Sequence, residues 1–211
     1  MAELRNASGG FREAVCIDVG RVYDSCCDRD CLEDLKCYFS PRGQDIIDQA
    51  LNVRARSAEI INVCIDVEPV SFNRGYYACD MTFYFLVTLE VFTSPRCQPV
   101  EVKGICFFDK KVILFGSEGN VRVFSSEFSP DDSDEQLPVS SNVPVCSVDV
   151  VDPVVLAATV CRNCCCEPVR PIPACVCGKI GGEVACQGDN SNNVLVTLGL
   201  FTISRLIRNV Q

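Results

Sequence analysis

Cysteine is the residue through which this chain could do chemistry. Seventeen of its 211 residues are cysteine, and most of them cluster. The first group is Cys16, Cys26, Cys27, Cys31 and Cys37. Adjacent cysteines such as Cys26 and Cys27 rarely bond each other, because the small ring strains the peptide between them, so they point to two separate partners. The segment reads either as a staple tying the N-terminal part to two places, one of them on a neighbouring subunit, or as two ordinary intrachain bridges. The second group is Cys161, Cys164, Cys165 and Cys166, followed by Cys175, Cys177 and Cys186. Cys161 and Cys164 have C-x-x-C spacing, and with Cys175 and Cys177 they could set four thiolates around zinc. The second knuckle of that set is Cys-x-Cys, however, and Cys165 and Cys166 crowd the first. Bridging is therefore the preferred reading and a zinc site the alternative. A redox-active C-x-x-C would need a strand-then-helix setting that is missing here. The third set is scattered: Cys64, Cys79, Cys97, Cys106 and Cys146. Cys106, beside Phe107 and Phe108, reads as a small buried hydrophobe. Cys64 and Cys79, on or near polar strand faces, read as cross-strand or intersubunit bridges. An odd total leaves one thiol free or joined to another chain.

Other chemistry is sparse. The chain has no histidine, which removes every catalytic dyad, triad and metal site that depends on imidazole. Acid pairs such as Asp28 with Asp30 and Glu33 with Asp34 could in principle do glycosidase work. With no tryptophan to form a sugar platform, they read instead as solvated surface carboxylates. Gly178-Lys179 and the nearby Gly181-Gly182 do not make a phosphate loop, since the preceding glycine and the following Ser/Thr are missing. No enzymatic activity and no cofactor are expected. A net charge of −9 and a pI near 4.6 argue against a nucleic-acid footprint. No Lys/Arg cluster suggests a membrane surface, and the longest apolar run, 194–203, is too short and too interrupted to span one as a helix.

The elements that must position the cysteines read as strands. Residues 14–23, 61–68 and 143–151 alternate apolar and polar with a period of two, and 51–56 does the same. In the run 82–91, Phe83, Phe85, Val87, Leu89 and Val91 form one wholly apolar face, which suits a strand packed on one side and partly covered on the other. Further strands are predicted at 100–108, 111–115, 120–128 and 154–160, with Asp109-Lys110, Ser117-Glu118-Gly119, Asn73-Arg74-Gly75 and Ser40-Pro41-Arg42-Gly43 as turns. The segment 193–210, apolar on both faces, reads as a central or interface strand. One short helix is predicted at about 31–35, where Asp30 and Glu33 have capping-box spacing before Leu35. Residues 1–12 read as a flexible arm, 130–142 as an acidic solvated loop, with a calcium site on its clustered oxygen ligands as the alternative, and 161–186 as a cysteine-rich segment. These elements predict one all-β domain over 13–211. It would be an antiparallel β-sandwich, jelly-roll-like or a partly closed barrel, with one short helix near the N-terminus.

Cysteine density implies an oxidising compartment, yet the N-terminus has neither the basic nor the apolar region of a secretory signal. The segments Val15-Cys16-Ile17-Asp18, Arg21-Val22-Tyr23-Asp24-Ser25-Cys26 and Asp30-Cys31-Leu32-Glu33-Asp34-Leu35 resemble cysteine-rich spore coat and spore-appendage proteins of anaerobic spore-forming bacteria. More loosely, the chain is similar to spore appendage pilins, with an arm, an all-β body and disulfides joining neighbours. In those pilins the cysteines lie on the arm, whereas here the first is Cys16. The resemblance implies a subunit made without a signal in the producing cell and oxidised on the spore surface. Its partners would be other copies of itself and possible spore-surface neighbours. The expectation is a self-assembling, disulfide-crosslinked filament or layer. The alternative is a zinc-binding protein of the reducing cytosol.

Overall fold

Among the described residues, seven strands carry nearly all the regular structure. The computed structural model describes residues 19–95, 98–118, 143–162, 171–185 and 191–210. The predicted arm, the strand at 120–128 and the acidic loop with its calcium reading lie outside these residues. In chain order the elements are β1 (Val19–Phe39), α1 (Pro41–Asp48), β2 (Asn52–Pro69), β3 (Tyr76–Phe92), β4 (Val100–Phe115), β5 (Val145–Val150), β6 (Val154–Cys161), α2 (Ala174–Cys177) with a 3-10 turn at Gly178–Ile180, and β7 (Asn193–Val210). All pairings are antiparallel. The sheet order is β2-β3-β4-β1-β7-β5, with β6 following β5 along the same edge of β7. The sheet curls until β2 meets β6, giving the all-β, nearly closed barrel-like sandwich that the alternation predicts.

The strands are long because their sequences alternate without interruption. β3 sits between β2 and β4 and is buried on both faces. Phe83, Phe85, Val87, Leu89 and Val91 have no exposed surface and belong to the main core. On the opposite face Tyr84 and Leu86 are covered by Ile105 and by Val176 of α2, with Ile172 and Ile180 beside them. This is the half-covered sheet expected from the run 82–91.

Two predicted breaks are corrected. Residues 31–35 are not a helix but part of β1. The ladder with β7 shifts between Leu32 and Leu35, and Asp34 has φ +54°, a left-handed conformation that Asp tolerates better than most residues. The extra residue of this bulge turns both Leu32 and Leu35 towards the core. A bulged strand thus produces the three-residue apolar spacing of a helix. Asp109-Lys110 is likewise no turn. β4 runs through it unbroken, pairing Asp109 with Thr82 and Lys110 with Met81. Conversely, Ser40-Pro41-Arg42-Gly43 is the start of α1. Ser40 is the N-cap and accepts a hydrogen bond from the Gly43 N–H at 3.4 Å, with Pro41 in the first turn, where its missing N–H costs nothing. Ile47 of this helix and Ala50 beyond it pack into the core with Phe39, Val53, Val91 and Val102.

Gly104, like Gly116, marks one of the tightest contacts at a described glycine. A Cβ there would lie 2.5 Å from Cε1 of Phe39, a ring with no exposed surface. Gly104→Ala is expected to destabilise the reduced protein by about 1–3 kcal/mol through overpacking. Gly199→Ala, whose Cβ meets nothing closer than 3.8 Å, is expected to be neutral or to stabilise by up to about 1 kcal/mol. Urea unfolding midpoints of the two variants check both.

Candidate functional site

The fold sorts the cysteines into two populations by strand face. On β1 the even-numbered residues 26, 28, 30 and 32 point inward, because Leu32 enters the core and Asp28 and Asp30 reach Lys110 of β4. Cys27 and Cys31 therefore point outward and are exposed, opposite Ile203 and Gly199 of β7. Cys64 and Cys175 are also exposed. They share one donor, since the Asn62 amide nitrogen lies 3.8 Å from Cys64 Sγ and 4.0 Å from Cys175 Sγ. Cys37, Cys79, Cys106 and Cys146 are buried, and Cys26 and Cys177 half-buried. Cys161, at the end of β6, is disulfide-bonded. The remaining predicted bridge residues Cys16, Cys164, Cys165, Cys166 and Cys186, together with Cys97, lie outside the described residues.

The buried thiols lie against one another. The Cys106 thiol is pushed well above the ordinary thiol range, first by its hydrogen bond to Cys37 and then by burial. Cys79 is raised in the same way by Cys146 and by burial. Reading Cys106 as a solitary hydrophobe missed this. Its depth was legible beside Phe107-Phe108, but its neighbour depends on a strand register that no local signal encodes.

The second constellation is ionic. Lys110 Nζ lies 2.8 Å from Asp28 Oδ2 and 2.5 Å from Asp30 Oδ2, and 3.2 Å from the Thr202 hydroxyl. Its side chain is only 9% exposed. Asp28 and Asp30 are thus not solvated surface acids, as the sequence suggested. They sit on the inner face of β1, in the gap where β1 and β4 have parted. The Cys26 thiol donates to Asp28, and this hydrogen bond raises its pKa. Further along the same gap, Asp24 Oδ2 accepts the Phe115 N–H at 2.9 Å. Acids, one lysine and a raised thiol form no nucleophile–base pair, because the lysine is held charged and the thiol is held protonated. Such an arrangement ties β1 to β4 across the gap.

Among the described residues no group of three or more Cys, Asp or Glu side chains is arranged to hold a metal ion, and Cys164 of the zinc alternative is not among them. Among the described residues no helix is long and apolar enough to cross a membrane. No protein-family model, no curated protein and no solved structure matches the chain.

The ion pairs carry a pH signature. The Lys110 hydrogen bond holds the Asp28 pKa below the usual carboxylate range. Burial opposes the charge on Lys110, but its hydrogen bonds to Asp28 and Asp30 outweigh this and raise its pKa. A depressed carboxylate contributes stability above its unfolded pKa, about 3.9, and loses it as pH falls through the lowered folded value. A raised lysine contributes below its unfolded pKa, about 10.4, and loses it as pH rises through the folded one. Lys110→Met leaves two carboxylates facing each other. It is expected to cost about 2 kcal/mol near neutrality, less than the loss of one partner from a fully buried pair. It should also reverse the acid limb, so that stability rises on acidification towards about pH 4. Urea unfolding across that range reads both effects.

Proposed function

We propose that this chain is a self-assembling structural subunit of a disulfide-crosslinked filament or layer. The observation that carries the reading is the outer face of the sheet formed by β1, β7 and the β5–β6 edge. Cys27 and Cys31 are exposed there, four residues apart on the same face of β1. Around them stand Val22, Val145, Val154, Leu156 and Phe201, each more than a third exposed. Surface apolar residues in a row beside reactive thiols fit an interface between proteins better than a solvated surface. A second copy placed on this face would bury the row and bring thiols from two subunits within reach of each other. A bridge between them would make dissociation depend on reduction rather than on affinity.

The edges favour the same reading. β5 lies at the margin of the sheet, beside the stretch where β6 meets β2. An edge strand offers unpaired N–H and C=O groups to an incoming strand. The resemblance of the segments between Val15 and Leu35 to spore coat and appendage proteins adds a place for such assembly, a spore surface outside the cell that made the protein.

Electrophoresis of native material, boiled in detergent with and without reductant, tests the proposal. A ladder or gel-excluded band is expected to collapse to a monomer of 23.2 kDa only with reductant. Cys27→Ser with Cys31→Ser is expected to shorten that ladder. A monomer under both conditions contradicts covalent assembly, and an unchanged ladder in the double variant moves the crosslink off this face.

A further inference from the structure

Two pairs of cysteines meet inside the sandwich, and neither pair is close in sequence. The β1–β4 ladder matches Tyr38 with Ile105 and Phe39 with Gly104. One residue further, the same register sets Cys37 opposite Cys106. Both are without exposed surface and lie in the main core. Directly opposed residues of antiparallel strands have Cα atoms about 4.5–5.5 Å apart, inside the span of about 4.4–6.8 Å that a disulfide bridges. Cys79 of β3 and Cys146 of β5 meet in a second cluster with Tyr77, Leu114 and Leu206, where they are 0% and 8% exposed.

From this geometry we infer that Cys37–Cys106 and Cys79–Cys146 are modification sites, two intrachain disulfides that form as the chain folds in oxidising surroundings. The inference concerns the inside of one subunit and stands whether or not subunits crosslink. Each bridge has a structural use. Cys37–Cys106 sits where β1 leaves β4, so it clamps the strands at the point from which the gap opens. Cys79–Cys146 ties β3 to β5 across the interior, between strands that share no ladder.

The oxidant is a low-molecular-weight disulfide. One protein thiolate attacks it, forming a mixed disulfide and expelling one small thiolate. The second protein thiolate then attacks the protein sulfur of that mixed disulfide and expels the other. Two protein thiols are oxidised to one bridge, and the small disulfide takes up both electrons and both protons as two small thiols. Burial sets the timing. The thiolate must meet the small disulfide to react, and in the closed sandwich Cys37, Cys79 and Cys106 have no exposed surface and Cys146 is 8% exposed. The bridges therefore form before the sandwich closes and resist reduction afterwards. The exposed Cys27, Cys31, Cys64 and Cys175 stay open to exchange.

The test is refolding at high dilution. Chain unfolded in denaturant and reductant is refolded with either oxidised or reduced glutathione. The monomer peak is isolated by size exclusion, free thiols are alkylated, and the protein is digested without reductant for peptide mass mapping. The oxidised sample is expected to yield peptides joining Cys37 to Cys106 and Cys79 to Cys146. Its unfolding equilibrium constant should fall roughly a thousandfold for each long loop closed. In the reduced, folded sample the four buried thiols should resist alkylation while the exposed ones react. Alkylated Cys37, Cys106, Cys79 and Cys146 in the oxidised monomer would overturn the inference, as would bridges from them to the exposed cysteines. A Cys37→Ala, Cys106→Ala chain keeps the second bridge if the two are independent, and a scrambled Cys79 or Cys146 in it counts against the assignment.

Discussion

A buried backbone amide without a partner costs about 1–3 kcal/mol, and this constraint shapes the whole molecule. β3 keeps full ladders with both β2 and β4, but the 21-residue β1 does not do the same with its two neighbours. β1 keeps its ladder with β7 almost throughout but touches β4 by ladder only at Tyr38 and Phe39. Where the two strands part, side chains take over the work of the ladder. Asp24 accepts the Phe115 N–H, and Asp28 and Asp30 reach Lys110. The same device closes the other seam, where Asp152 Oδ1 accepts the Ile60 N–H between β6 and β2 at 3.1 Å. Aspartate suits the task because it is short, charged and accepts more than one hydrogen bond.

From this the two roles of cysteine follow. Along a strand, successive side chains face opposite sides, so position parity decides whether a thiol meets the core or the solvent. The same strand carries Cys27 and Cys31 outward and Cys37 inward, the parity having been reset by the bulge at Leu32–Leu35. The chain thus keeps one set of thiols inside and another exposed, and the two sets do not compete. Burial protects the inner set from exchange, and exposure keeps the outer set available.

Much of the architecture was legible from alternation alone. β3, β5, β6 and β7 stand close to where the apolar periods put them, and the half-covered face of β3 was implied by Tyr84 and Leu86 facing away from the phenylalanines. The failures share one physical cause. A bulge shifts the period by one residue, so Leu32 and Leu35 acquired helical spacing inside a strand. A polar pair within a strand mimics a turn, so Asp109-Lys110 appeared to end β4 when Lys110 was in fact answering two inward aspartates. The Ser40-Pro41 start of α1 carried a helix-cap signal, but the turn chemistry of the same four residues hid it. Of the site, Cys106 as buried and Cys64 as available were readable, but Cys79, read with Cys64 as lying on or near a polar face, is fully buried. The partnerships were not readable, because they depend on long-range register.

The central claim is a division of labour between inner and outer thiols, and isotope mixing tests it most directly. Equal amounts of unlabelled and uniformly 15N-labelled chain are reduced, mixed, assembled under oxidant, and mapped as disulfide-linked peptides. The account predicts that peptides joining Cys37 to Cys106 and Cys79 to Cys146 carry a single label, and that links from Cys27 and Cys31 carry both labels at random. Mixed labels on the buried pairs, or single labels throughout, would contradict it.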